Sequence, residues 1–150
     1  MTAIIILEDG RAVDGSNIGM AGMLEAISKA IGDTDPLLSA WLFDMSNRAS
    51  PFFDFDIRSL QTAQRQVFFE AAERDLQRRI IMYGPPENWG ENHYSGYCLI
   101  RLLKMQESIV RGEPPESMND FGTVFEFDGN AQDLSDLWFP ENKNLRMQSP

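Results

Sequence analysis

Ala3-Ile4-Ile5-Ile6-Leu7-Glu8-Asp9-Gly10-Arg11-Ala12-Val13-Asp14-Gly15 decides the fold class of this chain. The β-branched run 3–7 is too short for a helix and reads as a buried strand. Asp9-Gly10 is a type I′ hairpin signal. Arg11-Ala12-Val13 is then the return strand, closed by Asp14-Gly15. A hairpin at one end makes the chain α+β, because the segments that follow repeat at helical spacing.

Ser16 or Asn17 can cap a helix, and Met20, Met23, Leu24, Ile27 and Ile31 give it one apolar face. The helix is expected over 18–31, with Gly32 as its C-terminal stop. Asp35 or Thr34 caps a second helix that begins at Pro36, buries Leu37, Leu38, Trp41, Leu42 and Met45, and ends near Asn47. Phe53 and Phe55 alternate with acids, as in a short strand or extended segment. The longest helical pattern covers 57–82, with Leu60, Ala63, Val67, Phe68, Ala71, Ala72, Leu76 and Ile80 on its core side. Gly84-Pro85-Pro86 ends it, and the loop 84–93, with Trp89-Gly90, is expected to be exposed. A fourth helix is expected over 94–111, with Cys98, Leu102, Met105 and Ile109 on one face. Thr123-Val124-Phe125-Glu126-Phe127 alternates like a strand, and the polar last ten residues are expected to be loose. The architecture expected is one domain over 1–150, α+β, about four helices packed with a small, mostly antiparallel sheet.

The composition bounds the function. The 150 residues are 43% hydrophobic and 24% charged, ordinary for a globular domain. A single cysteine, Cys98, excludes an internal disulfide. The N-terminus has no basic region ahead of its short apolar run, and no stretch approaches a membrane span, so a soluble cytoplasmic protein is expected. The formal net charge of −10 argues against nonspecific nucleic-acid binding and for steering toward basic partners. The charge is uneven. Residues 58–112 carry 6 acids and 8 bases, whereas 113–150 carry 8 acids and 2 bases, with no Lys or Arg from Glu113 to Asn142. The arginines between Arg58 and Arg79 interleave with Glu70, Glu73 and Asp75, the pattern of a solvated, ion-paired helix face rather than a phosphate site.

Candidate chemistry is sparse. His93, the only histidine, lies close in sequence to Ser95 and Cys98. Cys98 falls on an apolar stripe and reads as an inert core thiol. His93 reads as a loop residue at a helix start, or as part of a binding surface with Tyr94 and Tyr97. Asp54 and Asp56 share one face of an extended segment, where two carboxylates can hold Mg²⁺. The plainer reading is a half-exposed strand, with Asp56 at the positive end of a helix dipole. Asp128-Gly129-Asn130, Asp133 and Asp136 lack the spacing of an EF-hand loop. Gly19-Met20-Ala21-Gly22 lacks the lysine of a phosphate loop and reads as a close helix contact. No catalytic residue, metal ligand or cofactor is assigned.

The acidic stretch is the stronger feature. Glu113, Glu116, Asp120, Glu126, Asp128, Asp133 and Asp136 lie among Phe121, Phe125, Phe127 and Trp138. Carboxylates steer and pair with a basic partner while an aromatic such as Trp138 supplies buried area. The alternative is that these aromatics face the core and the acids are merely solvated.

Leu60-Gln61-Thr62-Ala63-Gln64-Arg65-Gln66-Val67-Phe68-Phe69-Glu70-Ala71-Ala72 and Ser108-Ile109-Val110-Arg111-Gly112-Glu113-Pro114-Pro115 resemble segments of small bacterial immunity proteins, which neutralise polymorphic or contact-dependent inhibition toxins. The resemblance implies a cytoplasmic, non-enzymatic protein that binds a toxin domain, often a basic nuclease, and blocks its active site. It carries over no functional residue. The expectation is therefore an acidic inhibitor with a basic protein partner, monomeric when unbound. Two alternatives are a small hydrolase built on Asp54, Asp56 and His93, and an oligomeric structural or regulatory subunit.

Overall fold

The hairpin forms, with a different turn. In a computed structural model, which describes residues 2–47, 53–113 and 124–126, β1 (Thr2–Ile6) and β2 (Arg11–Ser16) pair antiparallel with Ile6 opposite Ala12. The Leu7 N–H donates to the Arg11 carbonyl (2.8 Å) and the Gly10 N–H to the Leu7 carbonyl (2.9 Å). The loop is thus the three residues Glu8-Asp9-Gly10. Only Gly10 takes a positive φ (91°), whereas a type I′ turn would need one at both central positions. The return strand also outruns its expected end, because the ladder continues through Ala3 opposite Gly15 and Thr2 opposite Ser16. Gly15 keeps that path open: a Cβ there would lie 2.8 Å from Arg101 Nη2.

Two further strands flank the hairpin. β3 (Phe53–Asp56) runs parallel to β1, Ile5 opposite Phe55, and β4 (Val124–Glu126) runs antiparallel to β2, Arg11 opposite Glu126. The order is β3-β1-β2-β4, and two of the three pairings are antiparallel. The parallel β1–β3 pair requires a crossover, which the first two helices supply.

Local chemistry sets the helix ends. Ser16 caps α1 (Asn17–Ile31) by accepting the Gly19 N–H at 3.0 Å, and Gly32 ends it at φ 52°. Asp35 caps α2 (Pro36–Ser46) by accepting the Leu38 N–H at 3.1 Å. The hydroxyls of Ser28 and Ser39 each donate to the other residue's carbonyl, joining α1 to α2. The long helix starts later than its pattern suggested. Asp56 accepts the Arg58 N–H and opens a short 3₁₀ turn over Ile57–Ser59. α3 (Thr62–Tyr83) then begins behind a capping box in which the Gln61 N–H donates to Gln64 Oε1. α4 (Tyr94–Val110) closes the order.

The core lies between the sheet and the helices. Ile5, Leu7 and Val13 from one sheet face meet Met20, Met23, Leu24 and Ile27 of α1, Leu38, Trp41 and Leu42 of α2, and Leu99, Leu102 and Met105 of α4. Phe55 of β3 sits fully buried between Trp41 and Phe68, each ring 5.2 Å from its own. Ile6 and Ala12, on the opposite sheet face, form a small second cluster. The architecture is α+β, four helices with a small, mostly antiparallel sheet. No helix of the described residues is long and apolar enough to cross a membrane.

Candidate partner-binding surfaces

The residues of the expected partner surface fall mostly outside the described residues: the acids Glu116, Asp120, Asp128, Asp133 and Asp136 and the aromatic Trp138 all do. Of the two that remain, Glu113 follows α4 and its carbonyl accepts from Arg11 Nη2, while its carboxylate lies 3.8 Å from Arg111. Glu126 stands opposite Arg11 in the β2–β4 ladder. The fold thus brings both to Arg11 at the start of β2, where Asp9 pairs with the same guanidinium at 2.8 Å.

Asp56 and His93 are not brought together. Asp56 is fully buried, pairs with Arg58 at 3.1 Å and belongs to the end of the molecule where Glu8 meets Arg65 and Gln106. His93 belongs to the other end of α3, a helix of 22 residues and hence about 33 Å long. The side chain of Asp54 lies outside the described residues. Among the described residues no group of three or more His, Cys, Asp or Glu could hold a metal ion.

His93 has a different role, set by α3. The buried stripe of α3 runs Gln64, Phe68, Ala71, Ala72, Asp75, Arg79; Val67 and Leu76 pack against the core from its border, Ile80 is half-buried and Ala63 is exposed. Asp75 and Arg79, expected on a solvated face, are both buried. They can enter the interior because they neutralise each other one turn apart, with Arg79 Nε to Asp75 Oδ2 at 2.7 Å. Arg78 adds a second guanidinium to the same carboxylate, at 2.9 and 3.1 Å. Arg79 Nη1 reaches on to Ser95 Oγ (2.9 Å) and His93 Nε2 (3.1 Å) on the α4 side. Arginine only donates, so Nε2 must accept and the imidazole is neutral, with its proton on Nδ1. Burial, then Arg79 and Arg78, hold this imidazole below the ordinary histidine range, with Asp75 opposing them.

That network pins the α3–α4 connection. Trp89, in a loop expected to be exposed, is buried: its ring lies 4.5 Å from His93 and its Nε1 donates to the Gly84 carbonyl at 2.9 Å. Burying so large an apolar ring outweighs the polar character of the loop around it. Tyr97 donates to the Trp89 and Gly90 carbonyls at 3.0 and 3.1 Å. Gly96 makes the arrangement possible, since a Cβ there would lie 2.2 Å from His93 Cδ2 and 2.7 Å from Trp89 Cζ3.

Two concave surfaces flank this connection. The larger is an open groove of about 1240 Å³ between α3 and α4, floored by Phe69, Leu76, Ile81, Leu103 and Val110. Arg74, Arg78 and Lys104 on its rim balance Glu70, Glu73 and Glu107. Ile81 is 84% exposed and Val110 75% exposed. The second is a cleft of about 720 Å³ lined by Glu87 and Glu91 from the pinned loop and by Tyr94, Tyr97 and Cys98 from α4. Cys98 is a buried thiol pushed above its usual range by desolvation, against a smaller opposing effect of Arg101. It faces α1, where a Cβ on Gly19 would lie 2.9 Å from its sulfur. The Gly19–Gly22 stretch is indeed a close helix contact, since a Cβ on Gly22 would lie 3.1 Å from Ser95 Cβ.

The groove had a signal in the sequence. Ile80-Ile81-Met82-Tyr83 is apolar through more than one helical turn, so one core-facing side cannot take all four side chains. No family model matches the chain, and no curated protein or solved structure matches it.

Proposed function

We propose that this chain is an acidic, non-enzymatic binding protein, an immunity-type inhibitor whose partner is a basic toxin domain such as a nuclease. The observation that supports it is the α3–α4 groove: apolar side chains exposed in one open trough, with a charged rim, on a chain of net charge −10. Exposed apolar patches of this kind mark interaction sites, and their cores supply the buried anchors of an interface. The acids of residues 113–142 add long-range attraction, which speeds encounter with a basic partner and weakens with salt. Inhibition is then occlusion of the partner's active site, with no chemistry required of the inhibitor.

The test is co-expression with the products of adjacent genes, scored by rescue of growth from any that is toxic and by recovery of a complex at low salt. Rescue by the parent chain and its loss in Ile81→Glu and Val110→Glu is the expected result. A toxic neighbour that kills equally with and without the chain overturns the reading. The same groove also favours a second reading, a homo-oligomer joined through α3 and α4. Light scattering separates the two, since a concentration-independent monomer excludes self-association.

A further inference from the structure

We infer that the cleft between the 84–93 loop and the start of α4 is a receptor for an arginine side chain presented by a protein partner. This rests on the reading of a basic protein partner and names the chemical group that it inserts. Three observations carry it. The first is unopposed charge. Glu87 and Glu91 line the cleft, no cation lines it, and neither acid forms an ion pair among the described residues. The groove, with its three bases and three acids, and two smaller cavities on the described surface each carry both signs. The buried Arg101 lies beneath the floor beside Cys98 and does not line the cleft.

The second observation is the aromatic wall. Tyr94 and Tyr97 line the same cleft, one turn apart in sequence on α4, and Tyr94 is half exposed. A guanidinium is planar and weakly hydrated. It stacks on an aromatic ring while its N–H groups reach a carboxylate, a combination that the compact, strongly hydrated ammonium of lysine meets less well. The third is rigidity and size. The loop bearing Glu87 and Glu91 is fixed by the Trp89–Gly84, Tyr97–Trp89 and Arg79–His93 hydrogen bonds. The cleft's volume of about 720 Å³ lies within the ordinary range of ligand sites. A preformed site loses less entropy on binding.

The experiment is an NMR titration of the full chain with a blocked Gly-Arg-Gly peptide, beside its citrulline counterpart and spermidine. Citrulline keeps the shape of arginine and removes its charge. Expected are saturable shifts confined to residues 86–98, and binding at least tenfold weaker for the citrulline peptide. The exposed double variant Glu87→Gln/Glu91→Gln and the variant Tyr94→Leu should each weaken the arginine peptide while keeping the parent spectrum elsewhere. Equal binding of the citrulline peptide, shifts scattered over the acidic surface, or no effect of the double variant overturns the inference. Tighter binding of spermidine at the same residues also overturns it, since the cleft would then be a small-molecule polyamine site. The titration needs no partner, so its failure is distinct from the failure of growth rescue, which bears on the inhibitor reading alone.

Discussion

Replacing Asp75 by alanine should unfold the α3–α4 connection before anything else. The carboxylate is 2% exposed and accepts three guanidinium hydrogen bonds at 2.7, 2.9 and 3.1 Å. Their weights differ. Arg78 is 52% exposed, so its share is largely screened by solvent. Arg79 is 6% exposed, and without Asp75 its Nε loses the acceptor at 2.7 Å while Nη1 keeps only Ser95 and His93. Removing one partner of a buried pair costs about 3–5 kcal/mol, because the other charge stays behind uncompensated. For a domain of this length that is a fall in Tm of roughly 6–20 °C. The double variant Asp75→Leu/Arg79→Met removes both charges and should recover much of the loss. The assay is thermal and urea unfolding by far-UV circular dichroism on the parent, Asp75→Ala, and the mutant cycle formed by Asp75→Leu, Arg79→Met and their double variant. The expected coupling between the two positions is about 2 kcal/mol or more. If Asp75→Ala stays within about 1 kcal/mol of the parent, or the two substitutions simply add, the buried pair is not what holds the connection.

Three further outcomes follow from the same geometry. His93 is held below the ordinary histidine range, so the unfolded chain takes up this proton first as pH falls. Stability should therefore be level above about pH 7 and decline as pH drops below the unfolded value of about 6.5. His93→Gln should remove that part of the decline in pH-dependent denaturant melts, and an unchanged acid limb would refute the assignment. Gly96→Ala drives a methyl into the His93 and Trp89 rings and should cost about 1–3 kcal/mol. Hydrogen exchange should show the loss of protection concentrated in residues 84–97, and uniform loss across the chain would count against it. Ile81→Glu and Val110→Glu alter side chains that are already exposed, so unfolding free energies from urea melts should change by no more than about 0.5 kcal/mol. A large loss of stability in either would mean that the groove is part of the core.

The elements were legible because their signals are local. Ser16, Asp35 and Gly32 mark helix ends by hydrogen bonds within a few residues, and the periodic residues of α1 and α2 face the core as their spacing requires, except Leu37, which lies in the first turn of α2 and is exposed. Where an element departs from the expectation, a specific hydrogen bond or packing contact that the residue pattern does not display has intervened. Leu7 paired with Arg11 and lengthened the hairpin loop, and Asp56 capped a 3₁₀ turn that delayed α3. Trp89 went inside because His93, just before the next helix, and Gly96, within it, offer it a surface. The candidate surfaces were less legible. The sequence displays the charge excess and the apolar run 80–83, but Glu87 and Glu91 join Tyr94 and Tyr97 only after the loop folds back.

By itself, the sequence determined the α+β class, the run of helices and strands, and the acidic balance, since each depends on residues close along the chain or on composition. The tertiary structure alone decided that Asp75 and Arg79 are buried, that Asp56 and His93 belong to opposite ends of α3, and that α3 and α4 leave an apolar trough between them. A side chain's partner is set by what the fold places against it, and helical spacing shows which residues share a face without showing what that face will meet.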